Sequence, residues 1–136
     1  MITALLIAII IFGLAALFTI SKLSKKHPKN LNTKYFQDQW MDILGRVSRT
    51  PEGMIIAVID ADKLMDEALK KSHYRGKTMG ERLVAAQRSL SDNDAVWYAH
   101  KLRNRLVHEP QVRIKRKEAQ GALLGIKQGL KDLGAL

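Results

Sequence analysis

The sequence predicts an all-α protein, with a single N-terminal transmembrane helix followed by a small antiparallel bundle of four or five helices. Three observations predict it. Apolar residues recur at spacings of three and four over most of residues 34–133, the period of a helix with one buried face. Helix start and stop residues punctuate that pattern at short intervals. The first 20 residues carry no charged side chain and are apolar on every face of a helix.

Met1–Ile20 is rich in Ile, Leu, Ala and Phe. As a helix rising about 1.5 Å per residue it reaches about 30 Å, the hydrocarbon thickness of a bilayer. A cleavable signal peptide places basic residues before a shorter apolar core. Here no Lys or Arg precedes the run, and Phe18-Thr19-Ile20-Ser21 does not resemble a cleavage site, so residues 1–20 are expected to be an uncleaved anchor. Lys22, Lys25, Lys26 and Lys29 follow it. The positive-inside rule then places the N-terminus outside and the C-terminal domain on the cytoplasmic side of an inner membrane. The same lysines suit anionic headgroups, which makes membrane lipid, contacted through residues 1–30, the first expected partner. Residues 21–33 mix Lys, Ser, Asn and Pro without an apolar period and read as a linker, with His27 solvated. Absence of cysteine excludes a disulfide framework and fits a reducing compartment.

Residues 34–136 are enough for one small domain. The net charge of +10 is uneven: residues 31–71 hold six basic and seven acidic side chains, residues 72–136 thirteen and six. A basic half of this kind attracts polyanions such as RNA, or is simply solvated.

Phe36, Trp40, Ile43, Leu44 and Val47 mark one face of the first bundle helix. Thr50-Pro51, a cap followed by Pro at the first helical position, starts the next, which should run to about Lys71. Its apolar set is Ile55, Val58, Ala61, Met65, Ala68 and Leu69. Asp60, Asp62, Asp66 and Glu67 on that helix read as a solvated polar face; no His joins them, so no metal is implied. After a turn at residues 72–78, Thr78 and Glu81 form a capping box for a short helix carrying Leu83, Val84, Ala86 and Leu90. Ser91 and Asp94 repeat the device for the following helix, which must stop near His108 because Pro110 cannot continue it. The last helix is expected from about Arg113 to Leu133, with Ala119, Ala122 or Leu123, Ile126, Leu130 and Leu133 inward. Gly121, Gly125 and Gly129 recur there every four residues and would let a neighbouring helix approach closely. No internal repeat, glycine-rich phosphate loop or low-complexity tract is present.

The helix ending at His108 holds more polar chemistry than its packing needs. Ala95, Ala99, Leu102 and Leu106 make its core stripe, and Tyr98, Lys101 and Arg105 lie on the far, solvated side. A third sector holds Val96, Trp97, His100, Arg103, Asn104, Val107 and His108, with His100, Asn104 and His108 stacked four apart. Such a mixture suits an interface or a ligand site. Metal-free RNA cleavage needs a base for the 2′-hydroxyl proton, an acid for the leaving oxygen and a cation for the phosphorane. Histidine serves either of the first two roles, arginine the third, and asparagine orients them. Arg103, Asn104 and His108 are the candidate catalytic residues, and His100, Trp97 and Arg105 the candidate binding residues. Arg103 and His108 sit about 140° apart around an ideal helix. They share a site if the helix ends near His108, or across a two-fold axis. Plainer roles exist for each: His108 as a C-terminal helix cap, Arg103 as the partner of an acid in the bundle, His100 as a structural residue, and Trp97 and Trp40 as packing.

The sequence Arg103-Asn104-Arg105-Leu106-Val107-His108 resembles the RNA-cleaving signature of HEPN domains, in which an Arg, directly followed by a polar residue, precedes a His near the end of a helix in an all-α bundle. The resemblance covers most of residues 34–136. It implies a homodimer joined through the motif helix and, in many members, metal-independent endoribonuclease activity that leaves a 2′,3′-cyclic phosphate with no cofactor. Other members have lost catalysis, which makes a membrane-tethered binding module for RNA, nucleotide or protein the second reading. The N-terminal anchor departs from the family pattern.

Overall fold

The computed structural model describes residues 2–23, 31–47 and 50–136. Their regular structure is helical, as expected: α1 (Ile2–Leu23), α2 (Thr33–Arg46), α3 (Pro51–Lys71), α4 (Met79–Ala86), a 3-10 turn (Gln87–Ser89), α5 (Asn93–His108) and α6 (Arg116–Asp132). Among the described residues there is no strand.

α1 has 22 residues, which rise about 33 Å. Its side chains are described at positions 6–19, about 21 Å of that rise, and the large ones from Leu6 to Phe18 are exposed. Among the described residues, no helix is long and apolar enough to cross a membrane. Residues 24–30, which include Lys25, Lys26, His27 and Lys29 of the expected linker, lie outside the described residues.

α3 is the hub of the bundle and packs against α2, α4, α5 and α6. It starts as its sequence dictates, with Pro51 in the first turn and Thr50 Oγ1 accepting from Gly53 N at 3.2 Å. Met54, Ala57, Val58, Ala61, Leu64, Met65, Ala68 and Leu69 are all buried on it. That set is wider than one stripe, which lets α3 be covered on several sides. Phe36, Trp40 and Ile43 close the core from α2, Met79, Leu83 and Ala86 from α4, and Ala122, Ile126 and Leu130 from α6. Each large side chain among these stabilises the fold by about 1.5–3 kcal/mol.

The structure corrects several expectations. Leu44 and Val47 do not join the core: Leu44 lies about 80° around the helix from Phe36, and Val47 is beyond the last helical residue. Both line an open groove with Trp40 and Leu124. Of the apolar residues carried by α4, Leu83 and Ala86 are buried and Val84 is exposed. Glu81 accepts from Lys77 N at 2.6 Å instead of closing a box onto its cap residue, although Thr78 Oγ1 does accept from Glu81 N. α5 is capped by Asp92, which accepts from Ala95 N at 3.0 Å, and not by Ser91. Ser91 donates instead to Asp132 of α6, through its N–H at 2.7 Å and its hydroxyl at 2.8 Å. α6 starts at Arg116 rather than Arg113, because Glu118 reaches back to the Lys115 N–H at 2.9 Å and closes the helix there.

The glycine row of α6 has the role its spacing suggests. A Cβ on Gly125 would lie 2.6 Å from the Ala95 carbonyl oxygen on α5, and one on Gly129 would lie 2.9 Å from Met65 and Val96. The backbones of α5 and α6 meet because Gly125 has no side chain. Gly125→Ala should therefore lower the unfolding free energy by about 1–2 kcal/mol, overpacking exceeding the gain in helix propensity. Gly45→Ala, with nothing within 4 Å on α2, should leave stability equal or higher. Chemical denaturation of the two variants checks both signs.

Candidate functional site

α3 and α5 converge on one buried carboxylate. Asp62 is 3% exposed, because it shares the Val58–Met65–Leu69 stripe that faces the core. The expectation of a solvated acidic face is corrected here, for a buried carboxylate must find partners or neutralise. α5 supplies them. His100 Nδ1 lies 3.0 Å from Asp62 Oδ1 and 3.3 Å from Oδ2. Arg103 Nε lies 3.5 Å from Asp62 Oδ2, an ion pair without a hydrogen bond.

The network continues outward. With Nδ1 donating to Asp62, His100 Nε2 accepts from Asn104 Nδ2 at 3.4 Å. Asn104 Oδ1 accepts from Arg103 Nη1 at 2.9 Å. This tautomer satisfies both ring nitrogens and orients the Asn104 amide. Trp97 stands edge-on to the His100 ring, centroids 5.9 Å apart, and packs beside Gly80 of α4. Asp62, His100, Arg103, Asn104 and Trp97 therefore form one cluster. The His100 side chain is 13% exposed and that of Arg103 28%, so the cluster opens to solvent on its Arg103–Asn104 side.

His108 stands apart from it. It is the last residue of α5 and is exposed, and among the described residues its side chain has no hydrogen-bond or ion-pair partner. α5 stays helical up to that residue, so the rotation of about 140° between Arg103 and His108 holds. The chain then leaves through Glu109, Pro110 and Gln111, the last in the left-handed region at φ 64°.

Arg105, expected as a binding residue on a solvated side, is half-buried and pairs with Glu118 of α6 at 2.8 Å. It belongs to a different side of α5 from Arg103 and Asn104. The Arg105 hydrogen bond, aided by that of the Lys115 N–H, holds the Glu118 carboxyl below its ordinary value of 4.5. Val96, expected beside the polar sector, is fully buried, since α3 and α6 together cover a wider arc of α5 than one stripe.

The residue that sequence reasoning missed is Asp62. Its signal was the position of an acid at spacings of four and three between Val58 and Met65. A second pair, of buried Arg82 with partly buried Asp66, lies one turn on, where Arg82 Nε and Nη2 donate to Asp66 at 2.8 and 3.0 Å and Nη1 donates to the Gly76 carbonyl at 2.7 Å. This clasp holds the start of α4 on α3. Among the described residues no group of three metal-binding side chains is present.

No protein-family model, curated protein or solved structure matches the chain.

Asp62→Ala leaves Arg103 without its anion and His100 without its acceptor. It should cost about 3 kcal/mol of stability, whereas Asp42→Ala, at an exposed position of α2, should change stability by no more than about 0.5 kcal/mol. Urea titrations of both variants check this. The Arg105–Glu118 pair carries a pH signature. A carboxyl lowered in the folded state adds stability above its ordinary value, and that stability is lost as pH falls below it. Glu118→Gln should therefore melt below the parent at pH 7, and the gap should close as pH drops from 4.5 downward.

Proposed function

We propose that this chain is a membrane-anchored, HEPN-like domain that cleaves RNA without a metal, at a composite site built from two copies of α5. One observation carries the reading. Arg103 and Asn104 are bonded to each other and braced from behind by Asp62 and His100, while His108 lies exposed about 140° around the same helix. One helix does not turn both toward a single phosphate. A second copy related by a two-fold axis brings its own His108 to the first copy's Arg103, and the symmetry makes two such sites.

In this mechanism the Arg103 guanidinium meets the charge that builds on the phosphorane, using donors left over from Asn104 and Asp62. Asn104, held at 2.9 Å from Arg103, keeps that fork in place and orients the phosphate. His108 of the opposing helix moves protons: it takes the 2′-hydroxyl proton while water protonates the leaving 5′-oxygen, or protonates that oxygen while water takes the 2′-hydroxyl proton. His100 is a positioning residue whose ring nitrogens are already occupied. α1 and the lysines after it are assigned to the membrane, with the bundle on the cytoplasmic side; the uncharged run Met1–Ile20 and the exposed apolar side chains of α1 support this.

One observation favours the second reading, a non-catalytic module tethered to the membrane. The Asp62–His100–Asn104–Arg103 chain is closed on itself, as a purely structural network would be.

Cleavage of a labelled RNA by the full chain in detergent micelles, with excess EDTA, separates the two. The parent should cut and leave a cyclic phosphate end. His108→Ala and Arg103→Ala should each lower the rate at least about 100-fold. Silence from the folded parent, or equal cleavage by parent and His108→Ala, would remove the nuclease reading.

A further inference from the structure

The basic charge is not spread evenly along the chain. Lysines and arginines of α2 and α3 are absorbed by acids: Lys34 by Asp38, Arg46 and Lys63 by Asp60, Lys70 by Asp66 and Lys71 by Glu67. Arg113, Lys115, Arg116 and Lys117 form the densest basic run of the chain. All four are exposed, and among the described residues none has an acid within ion-pair distance. The acid next to them in sequence, Glu118, is spent on Arg105 and on the Lys115 N–H, and Glu109 at the end of α5 lies within electrostatic range of the same Arg105.

That same pair fixes where the run lies. Arg105 is three residues before His108, and Glu118 directly follows Lys117. Their 2.8 Å contact pins the start of α6 against the last turn of α5. Beside the contact is a recess of about 180 Å³ lined by Tyr98, Lys101, Leu102, Arg105 and Glu118. Tyr98 is 44% exposed there, and a Cβ on Gly121 would rest 3.7 Å from its ring. The small residue lets α6 lie close to one edge of the ring, and the exposed remainder faces the recess. An exposed aromatic ring, flanked by Lys101 and continuous with four unpaired cations, is the combination that holds single-stranded nucleic acid: cations track the phosphates and the ring stacks a base.

We infer that the seam between α5 and α6 is a binding surface for single-stranded RNA, with Arg113, Lys115, Arg116 and Lys117 on the phosphates and Tyr98 stacking a base, placed so that the strand runs toward His108. The inference rests on the RNA-directed reading above and names the surface through which the substrate is held. A membrane headgroup layer also offers phosphates and accepts tyrosine at its interface, but it has no base to stack on Tyr98, so RNA and vesicle binding are compared in the test.

The test uses the full chain carrying His108→Ala in micelles, so that bound strands stay intact. Fluorescence anisotropy of a labelled oligouridine is followed over a salt series. Replacing Arg113, Lys115, Arg116 and Lys117 together by Gln should reduce the slope of log affinity against log salt by about 2.8, at about 0.7 per phosphate released. Tyr98→Ala should weaken binding roughly tenfold with the slope unchanged, and Tyr98→Phe should bind like the parent. Should the fourfold variant not fold by circular dichroism, Arg116→Gln/Lys117→Gln should reduce the slope by about 1.4. An unchanged slope in the folded variant overturns the inference. So does retained RNA affinity with lost binding to phosphatidylserine vesicles, which would assign the run to a membrane. A chain that binds this way yet never cleaves keeps the surface and sinks the nuclease; one that cleaves while the Gln variant binds normally does the reverse.

Discussion

A carboxylate inside an apolar core must be compensated, and the compensation for Asp62 comes from a single neighbouring helix. His100 and Arg103 reach it from α5, three residues apart and so on adjoining positions of one face. Two attachments to one fixed point set the rotation of α5 about its own axis far more tightly than apolar packing alone. Asp66, one turn later on α3, does the same for α4 through Arg82 and the Gly76 carbonyl. α3 therefore carries a short acidic row turned inward, and the polar face of the domain is arranged around it.

The rotation of α5 has a direct consequence for chemistry. With Arg103 drawn toward Asp62, Asn104 falls at the edge of the cluster and His108 is turned out to solvent at the end of the helix. The groups that metal-free RNA cleavage requires are then present but divided between two faces. Dimerisation is thus a condition of the proposed reaction rather than an addition to it. On the opposite side of α5, the close approach to α6 at Gly125 and the Arg105–Glu118 pair carry the basic run to the same end of the helix.

Much of this was legible in the sequence. The helical class, the start of α3 at Thr50-Pro51 and the end of α5 at His108 follow from caps and proline, which act locally and need no tertiary context. The glycine row of α6 announced a close helix contact without saying which helix would make it. The start of α6 was misplaced because Ile114 is buried in an extended segment, and an apolar residue next to a helix reads as part of it. The candidate site was half legible. Arg103 and Asn104 stand out by composition, but Asp62 was hidden among Asp60, Asp66 and Glu67, and its burial depends on α5 arriving to cover it. Arg105 was read as simply solvated because its partner, Glu118, is supplied by another helix.

The account stands on the claim that one site draws Arg103 from one chain and His108 from another, and mixing inactive chains tests it most directly. Arg103→Ala and His108→Ala chains, each inactive alone, would be denatured, combined in equal amounts and refolded together. Half of the dimers would then be mixed, each with one intact site, and the account predicts a return to about a quarter of the parent's RNA cleavage. A mixture as silent as its two components, with subunit exchange verified, would contradict it.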